Sequence, residues 1–447
     1  MTHELVDVRP QLQRVRERVA QLSQLRGPRL PDFIHSVRDV VIIASSSRGG
    51  SSVFSETLRS SPDLMHLQAE LNPLLTLARL HPLDTGGIDD HIAVDTPFDR
   101  EVLDRELALD AGHRQTGPVD LDRWATDLCW RLMVQWTAVD WDPEQVRDWL
   151  AQAWTEVLGD RSPADGLPEG TLADVHLAFI ARARSAHRRV DPRMWDLAAS
   201  SLDARFADLP SHASPPLGPI VEEPPFVTVG PWVRAAEGLR RPLIIKTPSN
   251  AYRLAFLKAL FSTARFRVLH LTRNPAASIN GLVDGWSYRG FHAHKVRPSL
   301  DISGYSDKRP IDANIWKYDL APGWRQVADR PLEEVAAHQW VTAHQHILGF
   351  LDDHPEVESM RVRFEDVVGP PTIRRGTLEA VMAWLGVGLH RDFNGVIDTP
   401  LAPVMASVPP RARRWFARAE RLAPVLEMDV IKELADELGC GAQDCWT

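Results

Sequence analysis

Cysteine is nearly absent. The 447-residue chain holds 3, at Cys129, Cys440 and Cys445. An odd number with no paired-ligand spacing supports neither a disulfide framework nor a zinc site. A reducing, cytoplasmic setting is expected, and no metal. Long apolar runs are missing too: nowhere do about 18 uninterrupted apolar residues occur, so no membrane span is expected. The opening MTHELVDVRPQLQRVRERVAQL lacks the apolar stretch of a secretory signal. Surplus positive charge is the third absence. Lys and Arg number 51 against 60 Asp and Glu, a formal net charge of −9, which argues against a general nucleic-acid binder with a broadly basic face. An anionic ligand must therefore be met by a local cluster of cations.

With 44% hydrophobic and 25% charged residues, the chain can bury a full core without cross-links. Its length allows about three domains, or one large core carrying insertions. Leu12, Val15, Val19 and Leu22 recur at helical spacing, which predicts an amphipathic helix ending near Gly27-Pro28 and serving as a packing arm or a homodimer contact. Asp39 to Ala44 is a short β-branched run of the kind buried in parallel sheets. Pro242 to Ile245, Phe266 to Leu271 and Met360 to Phe364 share that character, and each precedes a helical pattern. The alternation predicts an α/β fold: a P-loop-like three-layer core with a central parallel sheet.

Residues 1–37 form the N-terminal arm, and 38–80 with 239–447 form the core. Between them, 81–238 is a large, mainly helical insertion carrying Trp124, Trp130, Trp136, Trp141, Trp149 and Trp154, a stripe better suited to core than to a ligand box. Pro210 to Pro231 is an irregular linker back to the sheet, and 286–331 is a loop-rich segment expected to cover a site.

The strongest local signal is the strand-loop-helix passage from Val40 to Phe54. Such a loop offers backbone N–H groups and a helix N-terminus to an anion. Gly49 and Gly50 permit close approach, Ser51 and Ser52 add hydroxyl donors, and Arg48 adds charge. No Gly-Lys-Ser/Thr closes the loop, so it is not a Walker A sequence. Arg273 stands at the carboxyl end of another strand, where open α/β sheets place ligands. Two anchors on one sheet edge suit a nucleotide with two separated phosphate groups.

In these residues the chain resembles the PAPS-dependent sulfotransferases, which move a sulfuryl group from 3′-phosphoadenosine-5′-phosphosulfate to an acceptor. Arg48-Gly49-Gly50-Ser51-Ser52 is similar to the family's 5′-phosphosulfate loop, with Val53 following, and Arg273-Asn274-Pro275 to the start of its 3′-phosphate motif. Where that motif carries a Ser, this chain has Gly281, leaving Ser278 or the backbone as substitutes. Ser60 to Leu64, Glu70 to Leu74 and Lys246 to Asn250 resemble the tyrosylprotein and heparan branch, in which a Glu is the catalytic base. Val362 to Asp366 and the tail from Trp415 to Gly439 fit its closing strand and C-terminal helix. The resemblance implies Glu70 as base, Arg48 and Lys246 as cations on the leaving phosphate, and Ser407, Arg411, Arg413 and Arg414 in a segment that closes over the nucleotide. It implies PAPS as donor and a small-molecule acceptor, aromatic or lipid-like in view of the insertions.

His292 and His294 are alternative bases, though surface or core roles fit them, as they fit His338, His344 and His346, better. Two other classes compete. A P-loop kinase would share the loop but should show a loop Lys and Mg²⁺ ligands, and a non-catalytic nucleotide-binding module would have lost Glu70, Arg48 or Lys246.

Overall fold

The structure, a computed structural model, describes residues 9–27, 32–80, 88–206, 209, 216–235, 241–388, 391–399, 401–406 and 413–440. Its strands, in chain order, are β1 (Asp39–Ala44), β2 (Met65–Leu67), β3 (Ala111–Arg114), β4 (Trp232–Arg234), β5 (Leu243–Lys246), β6 (Arg265–Thr272), β7 (His294–Lys295), β8 (Ile315–Trp316) and β9 (Glu358–Arg363). Seven form one sheet in the order β4-β3-β2-β5-β1-β6-β9, while β7 and β8 pair as a separate hairpin. The five strands from β2 to β9 run parallel, and β3 and β4 extend that sheet antiparallel.

β1 lies at the centre because its side chains are apolar on both faces. Val40, Ile42 and Ala44 enter one core cluster and Val41 and Ile43 the other, following the two-residue period of a strand. On the second face, Phe54 and Leu58 of helix Ser51–Leu58 pack with Leu378 and Val381 of helix Pro371–Leu385. Helices Leu254–Leu260 and Leu332–Asp353 contribute Leu257 and Ile347 to the first. The result is the three-layer α/β architecture expected of the alternating strands and helices. Phe54 has no exposed surface, so truncating it to Ala should cost about 3–5 kcal/mol.

The N-terminal helix Arg9–Leu25 buries Leu12, Val15, Val19 and Leu22 in the chain's own core, so its apolar face is already covered. The tryptophans from Trp124 to Trp154 are core residues, Trp149 only partly buried. The stretch between the core segments is not wholly helical. It donates β3 and β4, strands of four and three residues with a glycine at the pairing position Gly112. Nothing in so short a run announces a strand, and pairing with the edge of β2 creates it. A buried ion pair ties this region to the arm, Arg26 Nε meeting Asp127 at 2.8 Å, and others hold it together, Arg131 meeting Asp110 at 2.6 Å and Glu222 at 3.2 Å.

Register positions the site. Ile43 of β1 pairs with Lys246 of β5 on one side and with Leu269 of β6 on the other. The loop leaving β1 therefore emerges between the carboxyl ends of two strands, one carrying Lys246 and the other leading into Arg273. That crevice is where an open parallel sheet binds ligands.

Candidate active site

A cavity of about 410 Å³ occupies the crevice. Arg48, Gly50, Ser51, Ser52, Val53, Glu70, Lys246, Arg273, Gly281, Arg413 and Arg414, all singled out in the sequence, line it. Gly49 and Ser278 do not reach its wall. Ser407 and Arg411 lie outside the described residues.

The loop after β1 is shaped by two glycines and one strained arginine. A Cβ on Gly50, whose φ is 95°, would fall 2.1 Å from the Phe364 ring, and one on Gly49 would fall 2.5 Å from Ser45 Oγ. Both positions need glycine. Arg48 itself has φ of 61°, a left-handed conformation uncommon for a non-glycine residue. The twist turns its carbonyl to accept from Arg273 Nη1 at 2.8 Å, while its guanidinium donates to the Met405 carbonyl at 2.6 Å. The helix Ser51–Leu58 then begins at the cavity, with Ser51, Ser52 and Val53 of its first turn in the wall.

Arg273 is half-buried, with its guanidinium 4.8 Å from the centre of the Phe364 ring. Burial, with Arg48 and Arg414 nearby, pulls its pKa down to about 10, and Glu365 offsets part of that. It remains charged at neutral pH, but with less solvation than a surface arginine, and a bound anion would restore what is lost. Pro275–Ser287 starts beside it, capped by the Asn274 side chain, which accepts from Ala277 N at 3.2 Å. Ser278 in that helix is buried with its hydroxyl unpartnered, so it does not substitute for the serine missing at Gly281 by facing the cavity. A Cβ on Gly281 would lie 3.3 Å from Arg48 Cβ. The glycine leaves room for the Arg48 side chain to cross the helix.

Lys246 and Glu70 form an ion pair at the cavity wall. Glu70 is held there by the next residue, whose amide donates to Thr247 Oγ1 at 2.8 Å. On the far side, Asp284 pairs with Arg414 and, at 2.5 Å, with Arg418 Nη1, which brings the C-terminal segment and Arg413 to the rim.

Glu223, Asp319 and Tyr318 are among the lining residues that carried no signal in the motifs. Glu223 accepts from Asn72 Nδ2 at 3.0 Å, and burial, with Glu70 and Asp90 near it, raises its pKa to about 8. Asp319 accepts from Tyr252 Oη at 2.6 Å, and burial raises it to about 6. Tyr318 presents its ring beside them. Asp319 and Tyr318 belong to the 286–331 segment, which is a packed wall. Trp286 meets Tyr305 and Trp316 edge-on at ring distances of 4.8 and 5.0 Å.

His292 and His294 are buried beside this core and do not line the cavity, and burial beside Lys317 lowers His292 to about 3. His344 is taken up by His270, at 2.9 Å. Among the described residues, no helix is long and apolar enough to cross a membrane, and no three His, Cys, Asp or Glu side chains group to hold a metal.

No protein-family model matches the chain, and no curated protein matches it. Three solved structures to which it is similar are sulfotransferases by description. The sulfotransferase domain from the Curacin biosynthetic pathway is 13% identical, with 90% of this chain and 98% of that one covered and a TM-score of 0.34. The sulfotransferase domain of the Synechococcus PCC 7002 olefin synthase is 15% identical, covering 88% and 96%, with a TM-score of 0.30. Sulfotransferase STF1 from Mycobacterium tuberculosis H37Rv is 12% identical, covering 92% and 84%, with a TM-score of 0.36. Matches at this level carry no functional weight, which rests instead on the residues around the cavity.

Proposed function

We propose that this chain is a sulfotransferase that moves the sulfuryl group of 3′-phosphoadenosine-5′-phosphosulfate to a hydroxyl of a small-molecule acceptor. The observation that carries the reading is the meeting of two kinds of group in one cavity: arginines from adjacent strand ends, Arg48 and Arg273, and the Glu70–Lys246 pair. Arg273 with Arg413 would hold the 3′-phosphate, and the N–H groups of Gly50 to Val53 with Arg48 the 5′-phosphosulfate.

In the transfer, the acceptor oxygen attacks sulfur in line while the bond from sulfur to the 5′-phosphate oxygen breaks. The acceptor proton passes to Glu70, and the negative charge left on the phosphate is met by Lys246 and Arg48. The Lys246–Glu70 pair would keep both groups at the line of transfer before substrates arrive. A loop ending in Gly50-Ser51-Ser52, without a lysine, favours this reading over an ATP-dependent kinase. Labelled sulfuryl transfer from PAPS to a panel of phenols, alcohols, sugars and peptides tests it. Transfer to at least one class is expected. Transfer from γ-labelled ATP, with none from PAPS, would overturn it.

A further inference from the structure

The cavity's carboxyl groups are unequal. Glu70 has Lys246, and Glu222 has Arg131 at 3.2 Å and Gln135 at 3.0 Å. Asp319 has the Tyr252 hydroxyl. Glu223 meets a neutral amide alone: among the described residues, its hydrogen-bond partner is Asn72 Nδ2, at 3.0 Å. That amide is oriented by Arg253, whose Nη1 donates to Asn72 Oδ1 at 2.5 Å. Because a guanidinium only donates, the Asn72 oxygen must face Arg253 and its NH₂ must face Glu223. One Glu223 oxygen is thereby satisfied, and among the described residues no cation forms an ion pair with the carboxyl. Glu70 and Asp90 act against its ionisation, and Arg253 acts in favour of it.

The residue is also held firmly. Its neighbour Glu222 is anchored by Arg131 and Gln135, and the Glu222 amide donates to the Val134 carbonyl at 3.1 Å. Pro224 and Pro225 follow and line the cavity with Val227. A carboxyl placed on a strap flanked by prolines, in a cavity wall shared with Glu70, is costly to ionise unless a positive charge joins it.

We infer that Glu223 selects the acceptor, binding the ammonium group of an amine-bearing alcohol whose hydroxyl is then presented to Glu70. This inference rests on the sulfotransferase reading for the role of Glu70, but the recognition step can be measured without it. It also fits the charge on the cavity wall: arginines line the donor end, and Glu70 and Glu223 supply the carboxyls of the other. An anionic acceptor would meet repulsion at that second end.

The test compares three probes of similar size by calorimetry at pH 7.5, with and without adenosine 3′,5′-bisphosphate: 2-phenylethylamine, 2-phenylethanol and phenylacetate. The amine should bind roughly 10-fold more tightly than the alcohol, and the anion more weakly than either. Amine binding should also displace the Glu223 proton, so its heat should differ between HEPES and Tris buffers, whereas the alcohol's should not. In Glu223→Gln the amine's affinity should fall to the alcohol's, and the alcohol's should stay within about twofold. The wild-type comparison stands even if that variant folds poorly. Equal binding of amine and alcohol, no measurable amine binding, or an amine preference that survives in Glu223→Gln would overturn the inference. Loss of the amine preference with intact bisphosphate binding removes this inference alone. An intact preference in a protein that does not bind the bisphosphate removes the sulfotransferase reading instead.

Discussion

The two ends of the cavity solve opposite electrostatic problems with different parts of the chain. At the donor end, Arg48 and Arg273 come from the turns after β1 and β6, and each spends a donor on a backbone carbonyl, Met405 and Arg48 respectively. Neutral carbonyls stabilise a half-buried guanidinium only in part, and the lowered pKa of Arg273 registers the shortfall. At the other end, Glu223 comes from the strap that leads out of the insertion and has one neutral amide. Its pKa moves the other way, to about 8. Each end is left short of opposite charge in the protein alone, the first of an anion and the second of a proton or a cation.

The largest expected effect separates chemistry from binding. Glu70→Gln should lower kcat by roughly 10² to 10⁴ on an aliphatic alcohol while bisphosphate affinity stays within about twofold. The loss should shrink for acidic phenols, which ionise with little help. A near-normal kcat on an alcohol would remove Glu70 as the base. Next in size is the donor end. Arg273→Ala deletes a charge-assisted contact worth about 1.5–3 kcal/mol, so bisphosphate should bind roughly 10- to 100-fold more weakly. Binding of 2-phenylethylamine should not change. Loss of both would mean that the two ends are one coupled unit.

The smallest effect is on stability. A carboxyl whose pKa is raised on folding holds more protons in the native than in the unfolded state, so the protein loses stability as pH rises from the ordinary Glu value, 4.5, to about 8. Glu223→Gln removes that loss. Its melting temperature relative to wild type should improve between pH 5 and pH 8, by about 1–3 °C. An unchanged difference across this range would place the Glu223 carboxyl in ordinary solvent.

The same contrast describes what could be read from the residues. β1, β5 and β6 announce themselves because strands buried on both faces are apolar at most positions, as in Val40 to Ala44, whereas β9, at the sheet edge with Glu358, Ser359 and Arg361 exposed, shows only the alternation of Met360, Val362 and Phe364. Arg48, Lys246 and Arg273 follow from them, since ligands gather at strand ends. β2, β3 and β4 carry three or four residues each and exist through pairing. Glu223 was illegible for a related reason. Its neighbours in sequence are Glu222 and Pro224, and Asn72 and Arg253, which orient it, lie 151 and 30 positions away. Gly281 reads as a missing hydroxyl in the sequence and as space for the Arg48 side chain in the fold.

Nucleotide preference bears most directly on the donor end. Wild-type protein titrated with adenosine 3′,5′-bisphosphate and with ADP, both without Mg²⁺, should bind the bisphosphate at least about 10-fold more tightly, because Arg273 and Arg48 grip phosphates at opposite ends of the nucleotide. Equal affinity for the two, or binding that requires Mg²⁺, would contradict the assignment of this cavity to a sulfuryl donor.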